Sequence, residues 1–341
     1  MFPAVYRVRT RPIGRARSEP APVDLVPRSM PTAATPATEP PAVYDVAIVG
    51  GGPAGLNAAL VLGRCGRRVL VFDSGKPRNA HSRALHGYLT RDGTHPIELR
   101  ALGRQQLDAY PSVEIRDLEI RTIYRRENRF ELIPVSDPPV SARIVLLATG
   151  RIDHVPPKPG FSTFYGHGVY HCPYCDGWEH RNEPIVIHGH GENAFDQALL
   201  LLVWSRNVVI CSDGPARFTP AQTEKLRANG IRFVESEILE LRGDAEGMLA
   251  EVAFRDRDPL PCRALFFCSD CEQKSELPEN LGCELDDEGS VKCNGHAATN
   301  VPGLYVAGNV RGGIHLAIVA AAEGAEAAIA INRALHEADL R

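Results

Sequence analysis

The stretch Cys172-Pro173-Tyr174-Cys175-Asp176 holds two thiols three positions apart and a carboxylic acid directly after the second. Two such thiols can close into a disulfide and reopen, because a thiolate attacks a disulfide sulfur through a mixed-disulfide intermediate. Taken alone, the spacing equally suits half of a zinc site or an accident of packing. His171, just before the pair, either lowers a thiol pKa as a nearby cation or is merely packed. Tyr174 and Trp178 either shape a substrate groove or pack as ordinary aromatics.

Two glycine-rich turns flank this stretch. Tyr44–Val49 reads as a buried parallel strand running into Gly50-Gly51-Gly52-Pro53-Ala54-Gly55, followed by an alanine- and leucine-rich helix to about Arg64. A second strand, Arg68–Phe72, is capped by Asp73, 23 residues after the first glycine (73 − 50). Strand, turn, helix and acid together complete a dinucleotide fingerprint. Gly50 permits the tight turn, Gly52 lets backbone N–H groups approach a pyrophosphate, and Gly55 lets helix and strand pack closely. Pro53 and Ala54 complete the turn into a helix whose N-terminus suits phosphates, and Asp73 is placed to accept from an adenosine ribose.

The second turn follows the strand Pro184–His188 and takes the G-x-G-x-x-A form at Gly189, Gly191 and Ala194. An apolar helix to about Trp204 and a strand Asn207–Cys211 lead to Asp213, which is compatible with an unphosphorylated ribose. The ring of His190 and the charge of Glu192 stand where a pyrophosphate would approach. A nucleotide fold that no longer binds nucleotide is the competing reading.

Between the turns, Ala142–Leu147 reads as a buried strand ending in Ala148-Thr149-Gly150, and three prolines in His154–Gly160 make a semi-rigid hinge. Residues 96–108 have helical spacing, and 113–116 and 130–135 read as strands, the latter weakened by Pro134. The polar run His86–Gly93 either lines a cofactor or is a solvated connection. Thr299–Val310 gives a turn, a short strand and a small-residue end, before an alanine-rich helix from about His315 to Leu335.

Composition excludes several classes. A formal net charge of −4 gives no reason to expect nucleic acid as partner. The apolar run Ile314–Ile331 is interrupted by His315, Glu323 and Glu326, so it is not read as a membrane span. Nine cysteines, an odd number spread along the chain, do not make the dense even framework of a small secreted protein, and a cytoplasmic location is expected. Residues 1–42 hold nine of the 27 prolines and six arginines before Pro31, so they are expected to be disordered, with Met30 an alternative start.

Taken in order over about residues 43–337, these motifs resemble the low-molecular-weight thioredoxin reductase family. The resemblance implies an α/β fold of two Rossmann-like domains, the FAD domain split by an inserted NAD(P)-type domain. The expected division is 43–154 and 263–341 for the FAD halves and 155–262 for the insert carrying the cysteines. It implies FAD at the first fingerprint, with Thr149, Gly150, Gly308, Asn309, His315 and Ala317 closing on it. The N-terminus of the last helix would face the flavin ring and favour its anionic reduced form. NADPH or NADH is the implied donor, a thioredoxin-like protein or small-molecule disulfide the substrate, and a homodimer the assembly. Cys175 would be the thiol beside the flavin, Cys172 the one attacking the partner disulfide, and Asp176 the acid protonating the leaving thiolate.

Three departures from the family pattern stand out. Of the basic segment that holds the 2′-phosphate of NADPH, only Arg217 remains within Ser212–Arg217. The nucleotide loop carries His190 and Glu192, and Asn309 replaces the aspartate that usually binds the ribityl chain. Branches lacking the basic segment include flavin-dependent dithiol oxidases, which form small-molecule disulfides with oxygen as acceptor; they often carry His where this chain has Asp176. A non-catalytic redox sensor is a third class, opposed by the intact Cys-x-x-Cys-Asp. The second pair, Cys268/Cys271, is read as ordinary loop cysteines, against a second redox relay or a four-cysteine zinc site with the first pair; no metal site is assigned. Cys65, Cys211, Cys262, Cys283 and Cys293 are taken as ordinary thiols.

Overall fold

The structure is a computed structural model that describes residues 43–268 and 271–341. The segment 1–42, expected to be disordered, lies outside the described residues.

The chain opens with β1 (Tyr44–Val49), α1 (Pro53–Arg64), β2 (Val69–Phe72), α2 (Pro96–Leu107) and β3 (Val113–Arg116). Next come the antiparallel strands β4 (Ile120–Arg125) and β5 (Phe130–Pro134), then β6 (Val140–Leu147). These strands form one sheet in the order β3-β2-β1-β6-β5-β4. Strand β6 is long because it has two partners on one edge. Its first half pairs antiparallel with β5, and its second half takes a later parallel strand.

Alternation decides the layers. Ala47, Val49, Leu70 and Phe72 join one buried cluster, while Val46, Ile48, Val69 and Val71 join another on the opposite face. A sheet buried on both faces needs continuous apolar runs, which these strands have.

After β6 the chain leaves through β7 (Arg151–Asp153), α3 (Phe161–Phe164), β8 (Val169–Tyr170) and the single turn α4 (Pro173–Asp176). A second sheet follows from β9 (Ile185–His188), α5 (Gly191–Leu201), β10 (Val208–Cys211), α6 (Pro220–Ala228) and β11 (Arg232–Val234). Then come the antiparallel β12 (Ile238–Gly243), β13 (Leu249–Phe254) and β14 (Leu260–Pro261), and β15 (Ala264–Phe267). The second sheet runs β11-β10-β9-β15-β8, every neighbouring pair parallel. One face packs on Ala194, Ala198 and Leu201 of α5 and Leu226 of α6. The other packs on Leu241, Leu249 and Val252 of the three-stranded antiparallel layer.

The return runs through β16 (Cys271–Gln273), α7 (Leu277–Asn280), β17 (Leu304–Val306), a 3₁₀ turn at Gly308–Arg311 and α8 (Ala317–Asp339). Strand β17 pairs with β6 and completes the first sheet. The outgoing β7 and returning β16 pair antiparallel with each other, so both crossings share one two-stranded ribbon. The expected boundary at 263 falls just ahead of β15, which pairs with β9 and β8. The Ala-Leu-Phe-Phe run of β15, wholly buried, sits between β9 and β8 in the second sheet, and the return begins only at Cys271.

Candidate active site

Cys172 and Cys175 form a disulfide with Cα atoms 5.3 Å apart. The local turn makes this possible: Pro173 supplies a preset φ at the first position of α4, and the Cys175 and Asp176 amides both donate to the Cys172 carbonyl, at 3.1 and 3.3 Å. Tyr174 and Trp178 point outward, 68% and 64% exposed. Tyr174 meets the Trp204 edge with ring centroids 5.7 Å apart, and Arg181 lies 4.4 Å over Trp178.

On the inner side, Cys175 and Asp176 line a cavity of about 720 Å³ that reaches from the first glycine turn to the start of α8. Burial, with a smaller contribution from the nearby charge of Glu179, pushes the Asp176 carboxyl up to about 7. Among the described residues, no group is seen to donate a hydrogen bond to its side chain. An acid titrating there exchanges protons near neutral pH.

The cavity fits a flavin dinucleotide. A Cβ on Gly52 would meet no protein atom within 4 Å, whereas one on Gly50 would overlap the Ala148 carbonyl and one on Gly51 the Asp73 carboxylate. The glycine turn is therefore closed on the protein side and open on the ligand side. Thr149 Oγ1 and His315 Nε2 are buried on the same wall with no hydrogen-bond partner among the described residues. His315 Nδ1 lies 2.9 Å from an Arg78 nitrogen, which can only donate, so the ring proton belongs on Nε2. Burial and the charges of Arg78 and Arg151 lower the His315 pKa to about 4, keeping the ring neutral. Gly150, Gly308, Asn309, Pro53, Ala54 and Ala317 also line this space.

Asp73 lines it too, with its oxygens already engaged. Oδ1 accepts from the Gly75 amide at 2.9 Å, and Oδ2 from Arg100 at 2.6 Å and Arg104 at 3.4 Å. Each oxygen can accept more than one bond, so a ribose hydroxyl can still be received.

The site also contains a charged group that no motif announced. Arg78 holds Asp153 in a two-pronged pair, Nε to Oδ2 at 2.7 Å and a terminal nitrogen to Oδ1 at 2.5 Å. Tyr165 donates to Asp153 at 3.1 Å and stands 3.2 Å from His171 Nδ1. This chain of contacts starts beside the flavin cavity, passes the crossing ribbon at Asp153 and ends at the residue before Cys172. Burial raises the Asp153 carboxyl, but the Arg78 hydrogen bonds and the charges of His171 and Arg78 outweigh it and hold it below its usual value. Burial lowers His171, with Asp153 opposing. Only the tertiary fold unites these residues, from three separate segments with no repeat or spacing in common.

The second fingerprint is built differently. Gly191, at φ +64°, starts α5, and Ala194 is buried against β9. Gly189 has its Cβ position 2.7 Å from Cys268 Sγ, so the turn packs on that sulfur. Asp213 holds the fold together: Oδ1 accepts from the Ile238 amide at 2.7 Å, and Oδ2 pairs with Lys158 of the proline-rich hinge at 2.8 Å. Arg217 is exposed, 3.4 Å from His190 Nε2.

The sequence matches the pyridine nucleotide-disulphide oxidoreductase family over residues 44–324. It is 31% identical over 309 residues to a thioredoxin reductase of Mycolicibacterium smegmatis, covering 87% of this chain and 98% of that one. A probable thioredoxin reductase of Arthroderma benhamiae is 30% identical over 298 residues, covering 78% and 74%. An oxidoreductase structure from Agrobacterium tumefaciens superposes with a TM-score of 0.81 at 28% identity, over 87% of this chain and 99% of that one. With a cavity that reaches from the first glycine turn to the disulfide-bonded Cys175, the chain belongs to the pyridine nucleotide-disulphide oxidoreductases as a thioredoxin reductase-like flavoprotein.

Proposed function

We propose that Cys172, Cys175 and Asp176 are the catalytic residues of an FAD-dependent disulfide reductase using NADPH or NADH. The observation that carries this is the placement of Cys175 and Asp176 on the wall of the flavin cavity, with the disulfide to Cys172 closed across the turn. FAD, when bound, supplies the two-electron chemistry that links a nicotinamide donor to this disulfide.

The chain's own residues do the rest. Opening the Cys172–Cys175 bond takes up two electrons and two protons. Cys172 then attacks the substrate disulfide and releases one substrate thiolate, which takes its proton from Asp176. Cys175 attacks the Cys172 sulfur of the mixed disulfide, restores the original bond and releases the second substrate thiol. The exposed Tyr174 and Trp178 beside the pair support a thioredoxin-like protein as substrate, with a small-molecule disulfide the alternative.

We divide the chain at the β7–β16 ribbon, with residues 43–150 and 274–341 forming the flavin half. A homodimer and a cytoplasmic location complete the reading, the first open to sedimentation equilibrium. No described helix is long and apolar enough to cross a membrane.

One observation favours a second reading. Asp213 is engaged with Lys158 and Ile238, and His190 stands at the N-cap position of α5, where a donor pyrophosphate would lie. A dithiol oxidase with oxygen as acceptor would need no nicotinamide there. Anaerobic addition of NADPH, NADH or dithiothreitol to the yellow protein separates the two. Bleaching of the flavin by a nucleotide is the expected result. Bleaching by dithiol alone, with colour returning in air, would replace the reductase with the oxidase.

A further inference from the structure

The first pair of cysteines does not exhaust the thiol chemistry of this chain. Cys268 and Cys271 have the same three-residue separation as the closed pair, and both line one cavity of about 340 Å³. Arg78, His171 and His315 line this cavity and the flavin cavity alike, so the two spaces share a wall. Cys268 sits just past the carboxyl end of β15, at the sheet edge where ligands of open α/β folds bind. Its amide donates to the His188 carbonyl at 3.0 Å, and its sulfur lies 3.5 Å from Gln197 Oε1. Cys271 opens β16 directly opposite Asp153, the partner of Arg78. The Arg78 guanidinium in turn is within electrostatic reach of Cys271.

The other thiols lack this setting, and the exposed Cys65 lines neither cavity. Cys211 and Cys262 are fully buried in the second sheet's core, and burial pushes the Cys211 thiol up to about 12. Cys283 and Cys293 pack against the core of the first sheet. Reactive thiols sit in partly exposed polar surroundings, and buried apolar ones are inert.

We propose that Cys268 and Cys271 form a second redox pair, a dithiol that closes to a disulfide by exchange with a disulfide substrate in the cavity beside the flavin site. This rests on the reading of the chain as a disulfide oxidoreductase. One thiolate attacks the incoming disulfide, forms a mixed disulfide and releases one substrate thiol. The other then attacks the attached cysteine sulfur, forming the Cys268–Cys271 bond and releasing the second substrate thiol. Two electrons pass from the pair to the substrate, and exchange with a dithiol returns them.

The test is thiol mapping of the whole flavin-loaded protein. It is fully reduced, equilibrated without oxygen in graded mixtures of reduced and oxidised dithiothreitol, trapped with N-ethylmaleimide, digested and weighed. The expected result is a peptide carrying Cys268 and Cys271 that loses both adducts together as the mixture becomes oxidising, with a mass matching one internal disulfide. Retention of both adducts throughout, while Cys172 and Cys175 close, overturns the inference and leaves the proposed function standing. Closure of Cys268–Cys271 with Cys172 and Cys175 still alkylated does the reverse. The same mapping on Cys172→Ser/Cys175→Ser must show the second pair closing alone; adducts retained on it there overturn the independence of the pair.

Discussion

Asp176 carries a signed pH dependence at the scale of a single residue. Its carboxyl titrates near 7 in the fold because burial disfavours the charge, with Glu179 adding to it, whereas a free aspartate titrates near 4. The folded chain therefore holds this proton through a window where the unfolded chain has lost it. The associated stability is full below about pH 4 and is lost as pH rises through about 7, a difference on the order of 4 kcal/mol. Asp176→Asn should flatten this dependence and raise the melting temperature relative to wild type above pH 7. The same variant should lower disulfide-reduction turnover by roughly 10²–10⁴-fold at neutral pH, while the rate of flavin bleaching by the donor stays unchanged. Bleaching that slows in parallel would place Asp176 elsewhere in the cycle.

Asp153 has the opposite sign. Its folded pKa is depressed, so its contribution is present above the ordinary aspartate range and is lost as pH falls through the folded value. Its side chain is 2% exposed and its partner Arg78 16%, so removing one member leaves a buried charge. Asp153→Ala should destabilise the chain by about 3–5 kcal/mol in urea unfolding. A change within the noise of the measurement would mean that water replaces the carboxylate.

Among the elements, α1 and α8 set how tightly the flavin cavity is held. Gly324 of α8 packs on the backbone of Ala54 in α1, where an added Cβ would overlap the Ala54 carbonyl. Gly324→Ala must push the helices apart, at about 1–3 kcal/mol, and loosen the cavity that Ala54 lines. Gly52→Ala makes the complementary change. The new Cβ meets no protein atom within 4 Å, so the flavin-free fold should keep its stability to within about 1 kcal/mol. The purified Gly52→Ala protein should still lose its yellow colour, because the methyl group enters the space a pyrophosphate needs. Melting curves of flavin-free protein together with flavin-to-protein absorbance ratios distinguish the two substitutions.

The whole molecule has two sheets, each with apolar clusters on both faces, joined by the β7–β16 ribbon. Separate cores predict separable melting, with FAD acting on one half. Calorimetry of the flavin-free protein should show two transitions, and FAD at 100 times its dissociation constant should stabilise the first-sheet transition by about 2.7 kcal/mol. A single transition that moves as a unit would show that the ribbon couples the halves.

Much of this arrangement is written locally. Both glycine turns, the apolar strands feeding them and the Cys-x-x-Cys-Asp turn are short-range patterns, since turn geometry, strand alternation and an i,i+3 disulfide each depend on residues close in sequence. Burial was not legible in this way. The shift at Asp176 and the neutral His315 follow from what surrounds them, not from their neighbours in the chain. The membership of Ala264–Phe267 was equally hidden, because an Ala-Leu-Phe-Phe run suits either sheet until β9 and β8 are seen beside it. Asp213 fits a ribose-binding position by sequence, and only the tertiary structure shows that it also pairs with Lys158 and accepts from the Ile238 amide. The local sequence thus determined the two glycine turns and the Cys172–Cys175 disulfide. The tertiary structure decided the Arg78–Asp153–Tyr165–His171 connection and the cavity of Cys268 and Cys271, because charge pairs and cavities form between segments far apart in the chain.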